Sequence, residues 1–155
     1  MKNILFILLC VFTTQLFSQT TQNTISEEKF GLLSCKNFSK TYIEEDMTYN
    51  YVYCSFQNMK YQHITDIGSI MYSKQSDIDE VIEQLEMCLE YMDNKKDSFS
   101  VGIFSIYDFH KNVYITEEDG KFTSINKKKV LSLIEWLKSV DMGEYVILNH
   151  IQYIT

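Results

Sequence analysis

The chain has 155 residues, 45% hydrophobic and 23% charged, a composition that fits one globular domain and excludes a disordered chain. Its formal net charge is -7 and it contains no arginine. It therefore lacks both a broad basic face and the usual bidentate reader of guanine and phosphate, and no nucleic-acid partner is expected.

Residues 1–19 have the layout of a secretory signal peptide. Lys2 is the positive end, Ile4 to Phe12 is the apolar run, and Thr13–Thr14–Gln15 opens the polar end. The run is too short for a membrane span. Cleavage after Ser18 or Gln19 removes Lys2 and takes the charge from -7 to about -8. Lipidation at Cys10 is disfavoured, because Leu9 before it is not small and Cys10 lies inside the apolar run. The expected destination is the periplasm or the extracellular space, with no membrane span after cleavage. Residues 20–27 read as a polar linker and residues 28–155 as a single domain.

Processing leaves Cys35, Cys54 and Cys88. An oxidising compartment permits a disulfide, and an odd count limits the chain to one internal bridge. Cys35 and Cys54 fall on expected strands and are the candidate pair. Cys88 falls on the apolar stripe of an expected helix, as a small buried hydrophobe would. No pair has the spacing of a metal knuckle, so neither a metal nor a cofactor is expected.

Taken in order, Glu28 to Lys36 is the first expected strand, and Ser39 to Asp46 is a loop or exposed strand end. From Met47 the pattern alternates, with Tyr49, Tyr51 and Tyr53 on one face and Val52, Cys54 and Phe56 on the other. A turn at Asn58–Met59–Lys60 leads into a second apolar run through Ile64, Ile67, Ile70 and Tyr72, where Gly68 suggests a bulge. Ser76 and Asp79 then form an approximate capping box for a helix whose stripe is Ile78, Val81, Ile82, Leu85, Cys88, Leu89 and Met92.

Phe99 to Phe109 is apolar on both faces and reads as a central strand. Val113 to Thr116 and Phe122 to Ile125 flank Glu117–Glu118–Asp119–Gly120, whose Asp-Gly pair signals a hairpin. Asn126 caps a second helix, with Ile125 and Val130 as its hydrophobic staple. Asp141–Met142–Gly143 stops that helix, and Tyr145 to Leu148 is a final expected strand. The fold class is α+β. The expectation is an antiparallel or mixed sheet of about five to six strands, with two amphipathic helices on one face in hairpin–helix, hairpin–helix order.

Three groups of residues could carry function. Tyr49, Tyr51 and Tyr53 would form a rigid amphipathic face suited to a protein, a peptide or a glycan, unless another segment covers it. Lys127, Lys128 and Lys129 oppose the dipole of the helix they open, so an anion-binding role is possible beside the plainer reading of a solvated lysine run. His63 and His110 are the candidates for acid–base work. His63, Asp66 and Ser69 have the side-chain types of a hydrolytic triad, but their order and spacing match no motif, and residues three apart on a strand point to opposite faces. Asp108 and His110 would project alike if that strand continued. His150 belongs to no pattern. The acidic runs Glu44–Glu45–Asp46 and Glu117–Glu118–Asp119 lack the EF-hand pattern and read as solvated loops. The leading expectation is a small, exported, non-catalytic binding domain, and the alternative is a small exported hydrolase using His63 or His110.

Overall fold

A computed structural model describes residues 20–42, 47–60, 66–94, 98–107, 111–143 and 146–147. The expected leader, His63, Asp108, His110, His150 and the acidic run Glu44–Glu45–Asp46 lie outside these residues.

The fold is α+β, but its strands form two antiparallel sheets and not one. The first sheet contains β1 (Thr20–Phe30), β2 (Leu33–Tyr42), β3 (Met47–Gln57) and β4 (Ile67–Tyr72) in sequential order. The long helix α1 (Gln75–Asn94) follows. The second sheet contains β5 (Phe99–Val101), β6 (Phe104–Ile106), β7 (Asn112–Thr116) and β8 (Phe122–Asn126), again in order. Helix α2 (Lys127–Ser139) comes next, and β9 (Val146–Ile147) returns to pair with Met47 and Thr48 of β3. The expected hairpin–helix repeat is thus a four-strand meander followed by a helix, twice.

Two glycines account for the difference. Gly31 and Gly102 both have positive φ, at 81° and 53°. Each opens a two-residue turn inside a segment that reads as one strand. Gly31–Leu32 folds Glu28 to Lys36 into the β1–β2 hairpin, and Gly102–Ile103 folds Phe99 to Phe109 into β5 and β6. A glycine in the first of two turn positions is the chemistry that such hairpins use. The polar stretch 20–27 is the first part of β1, running antiparallel to β2, with a register shift between Thr24 and Ser26. Ser39 to Tyr42 likewise belongs to β2.

Gly68 makes no bulge. It sits in register opposite Phe56, whose ring occupies the space where a side chain would project. The β7–β8 turn closes as its Asp-Gly pair implies, with Gly120 at φ 83° and its N–H donating to the Glu117 carbonyl.

One core joins both sheets and both helices. Leu33, Cys35, Val52, Cys54 and Phe56 come from the first sheet, Phe104, Val113, Ile115 and Ile125 from the second. Ile78, Val81, Leu85 and Cys88 of α1 and Val130, Leu133, Ile134 and Leu137 of α2 complete it. The helices pack on each other. α1 also contacts β4, β5 and β6, and α2 contacts β1, β7 and β8. Asn126 caps α2 by accepting the Lys129 N–H, as its position implies. α1 starts one residue before Ser76, whose hydroxyl donates to the Asp77 carboxylate, so the expected capping box does not form. Asp79 accepts from the Gln75 side-chain amide instead.

Candidate ligand-binding face

Alternation along β3 drives Val52, Cys54 and Phe56 into the core and turns Tyr49, Tyr51 and Tyr53 to the opposite face of the sheet. Pairing with β2 then sets Phe38 opposite Tyr51 and Lys40 opposite Tyr49, and pairing with β4 sets Met71 opposite Tyr53. These side chains share one face. Together with Gln22 and Ser73 they line an open trough of about 530 Å³. Every lining residue belongs to the first sheet or directly follows β4; neither helix contributes.

The aromatic rings support one another. Tyr42 stacks on Tyr49 at 5.5 Å between centroids, and their hydroxyls hydrogen-bond at 2.8 Å. Tyr49 meets Tyr51 at 6.1 Å, and Tyr51 meets Phe38 at 5.2 Å. Contacts of this kind each add about 0.5–1.5 kcal/mol beyond area burial. The ladder is therefore rigid before any ligand arrives. The Lys40 ammonium lies 4.8 Å from the centre of the Tyr42 ring. The Tyr42 hydroxyl holds Lys40 above the ordinary lysine value, and hydrogen bonding to Tyr42, aided by burial, pushes the Tyr49 phenol up.

Toward the β1–β2 turn the same face becomes aliphatic. Leu32 and Ile67 line a second open depression of about 260 Å³ with Ser34, Ser55 and Gln57. Ile67 and Met71 are 60% and 64% exposed, more than a strand side chain with a covering layer would be. The edge of β4 is guarded, because the Ser69 N–H donates to the Glu117 carboxylate of the β7–β8 turn.

Phe38 and Tyr42 belong to the face, although the sequence pattern ended the first strand at Lys36 and read Ser39 to Asp46 as a loop or exposed strand end. The alternation Phe38, Lys40, Tyr42 against Cys35, Asn37, Ser39 was the available signal. The lysine triplet does not converge. Lys127 pairs with Asp93 at the end of α1, Lys128 is exposed, and Lys129 lies over Gly31 of the β1–β2 turn. Asp66 accepts from the Asn58 amide at 2.8 Å. Asp119 pairs with Lys121 at 2.7 Å, and this partner holds its carboxyl below the usual range. Among the described residues no group of three or more His, Cys, Asp or Glu could hold a metal ion, and no helix is long and apolar enough to cross a membrane.

Cys35 and Cys54 form a disulfide directly across β2 and β3, with Cα atoms 4.1 Å apart. Cys88 is a free thiol with no exposure, and burial pushes it up to about 11. It is therefore expected to resist iodoacetamide at pH 8 in the folded protein and to react once the chain is unfolded in denaturant. Stoichiometric alkylation of the native chain, read by mass spectrometry, would contradict this packing.

No family model, curated protein or solved structure matches the chain.

Proposed function

We propose that this chain is an exported, non-catalytic binding domain that presents the outer face of its first sheet to a protein, peptide or glycan. The observation behind this reading is the open trough lined by Phe38, Tyr49, Tyr51, Tyr53 and Met71. It is apolar, braced by its own ring contacts, and built on strands fixed from below by the core. A rigid aromatic surface of this kind binds with little loss of side-chain freedom. The Cys35–Cys54 bridge agrees with export to an oxidising compartment.

The first test is the solvent accessibility of individual tyrosines, by mild chemical labelling read by mass spectrometry. Tyr51 and Tyr53 are expected to label in the free protein, with Tyr49 lagging because its hydroxyl is engaged by Tyr42. Protection of all three in the free chain would mean that the face is covered, and the reading would fail. Tyr51→Ala provides the second test. It removes ring contacts to Phe38 and Tyr49 and is expected to cost about 1–2 kcal/mol of stability while weakening ligand capture at least about tenfold. A loss of several kcal/mol would instead mark Tyr51 as a core residue.

The alternative is a small hydrolase using His63 or His110. Turnover on an ester, peptide or glycoside panel that disappears in His63→Ala or His110→Ala would establish it.

A further inference from the structure

We infer that the trough on the first sheet takes an acidic, apolar peptide segment of a partner protein, its apolar side chains against Phe38, Tyr51, Tyr53 and Met71 and a carboxylate at Lys40. This rests on the reading of that face as a binding surface and names what binds there.

Charge is the first argument. The outward positions of β1 and β2 carry Lys29, Lys36 and Lys40 and one carboxylate, Glu27, which Lys36 engages at 3.1 Å. No carboxylate among the described residues pairs with Lys40; its partner is Tyr42, through both the ring and the hydroxyl. Among the described residues the acidic excess lies elsewhere. α1 alone bears Asp77, Asp79, Glu80, Glu83, Glu86, Glu90 and Asp93. An acidic partner is thus repelled by the helical side of a chain with net charge -7 and admitted at this sheet.

Ring orientation is the second. The planes of Tyr42 and Tyr49 lie 22° apart, and those of Phe38 and Tyr51 30° apart. The first pair is stacked and the second tilted, so a neighbouring ring already takes part of the π surface of each of these four residues. A sugar ring stacks on an open aromatic face, whereas ring edges carry the positive end of the quadrupole and attract anionic oxygen. The lining also lacks the carboxylate and asparagine side chains that would take several sugar hydroxyls, offering only Gln22, Lys40, Ser73 and the phenols.

Shape is the third. An acyl chain needs an enclosed apolar cavity, and the interior gap between the two sheets holds only about 20 Å³. The trough is open, so its occupant must bring its own cover, as a segment on a protein surface does. From Tyr49 to Tyr53 the strand spans about 13–14 Å at roughly 3.4 Å per residue, the length of about four residues of extended peptide.

The experiment titrates the mature protein into two fluorescent hexapeptides, one of alternating aspartate and leucine and one with asparagine for aspartate. Fluorescence anisotropy is read at low and at physiological salt. The acidic peptide is expected to bind at least about tenfold more tightly at low salt, with the preference shrinking as salt rises. Lys40→Gln should erase most of that preference, weakening the acidic peptide far more than the asparagine one. Tyr53→Ala should weaken both. Equal affinities, or an acidic preference indifferent to Lys40→Gln, would overturn the proposal. If Tyr53→Ala still weakened binding in that case, the face would remain a binding surface for a different ligand. Failure of both peptides, with Lys40-dependent binding to vesicles containing anionic phospholipid, would replace the peptide by a membrane surface. Protected tyrosines in the free protein would remove the underlying reading itself.

Discussion

Reducing the Cys35–Cys54 bridge is expected to lower the unfolding free energy by about 3 kcal/mol, the loop-closure value for a separation of 19 residues. The bridge joins residues already opposite each other in the β2–β3 pairing. It therefore adds little to the folded geometry and acts mainly by limiting the unfolded chain. It also anchors the strands that carry Phe38, Lys40, Tyr49 and Tyr51, because both cysteines sit on the core side of the sheet whose outer side is the trough. Guanidinium unfolding with and without a phosphine reductant measures the effect. An unchanged midpoint, with alkylation proving both thiols free, would show that the hairpin needs no staple. Cys88 should not exchange with the bridge in the native state, because its thiol is buried and protonated at neutral pH. Replacing Cys88 by Ala beforehand isolates the bridge.

The same strands show how far the sequence could be read. β3 was legible because one side of it is core and the other aromatic, so period two stands out between Met47 and Gln57. The helices were legible for the same reason at period 3.6, and Asn126 marked the start of α2. β1 was not. Its first part is polar on both faces and nearly all exposed, so no alternation distinguishes it from a linker. The division into two sheets was hidden at Gly31 and Gly102, where a single glycine within an apolar run folds a strand into a hairpin without the longer polar turn that usually announces one. The candidate face was half visible. Three of its tyrosines share one strand and follow from spacing alone. Phe38, Lys40 and Met71 join them only through register, which pairing across strands decides and local pattern does not.

Register also gives the second large effect. Gly68→Ala is expected to destabilise the protein by about 1–3 kcal/mol although it adds only one methyl group. A Cβ at position 68 would stand 2.4 Å from two carbons of the Phe56 ring. Phe56 is 2% exposed and belongs to the core shared by both sheets, so the ring cannot swing into solvent to make room. The backbone of β4 must move instead, and with it Met71 on the trough side. The glycine is therefore part of a large–small pair across β3 and β4, not a weak point in the strand. Phe56→Leu alone should also destabilise, by leaving a cavity. The double variant should cost less than the sum of the two, because the smaller side chain admits the new methyl. A coupling of about 0.5–3 kcal/mol in that cycle would locate the strain at this pair. Strict additivity, measured by chemical denaturation, would mean that Gly68 is required by its backbone conformation and not by the ring above it. Loss of tyrosine labelling contrast at Tyr53 in Gly68→Ala would connect the core pair directly to the face it supports.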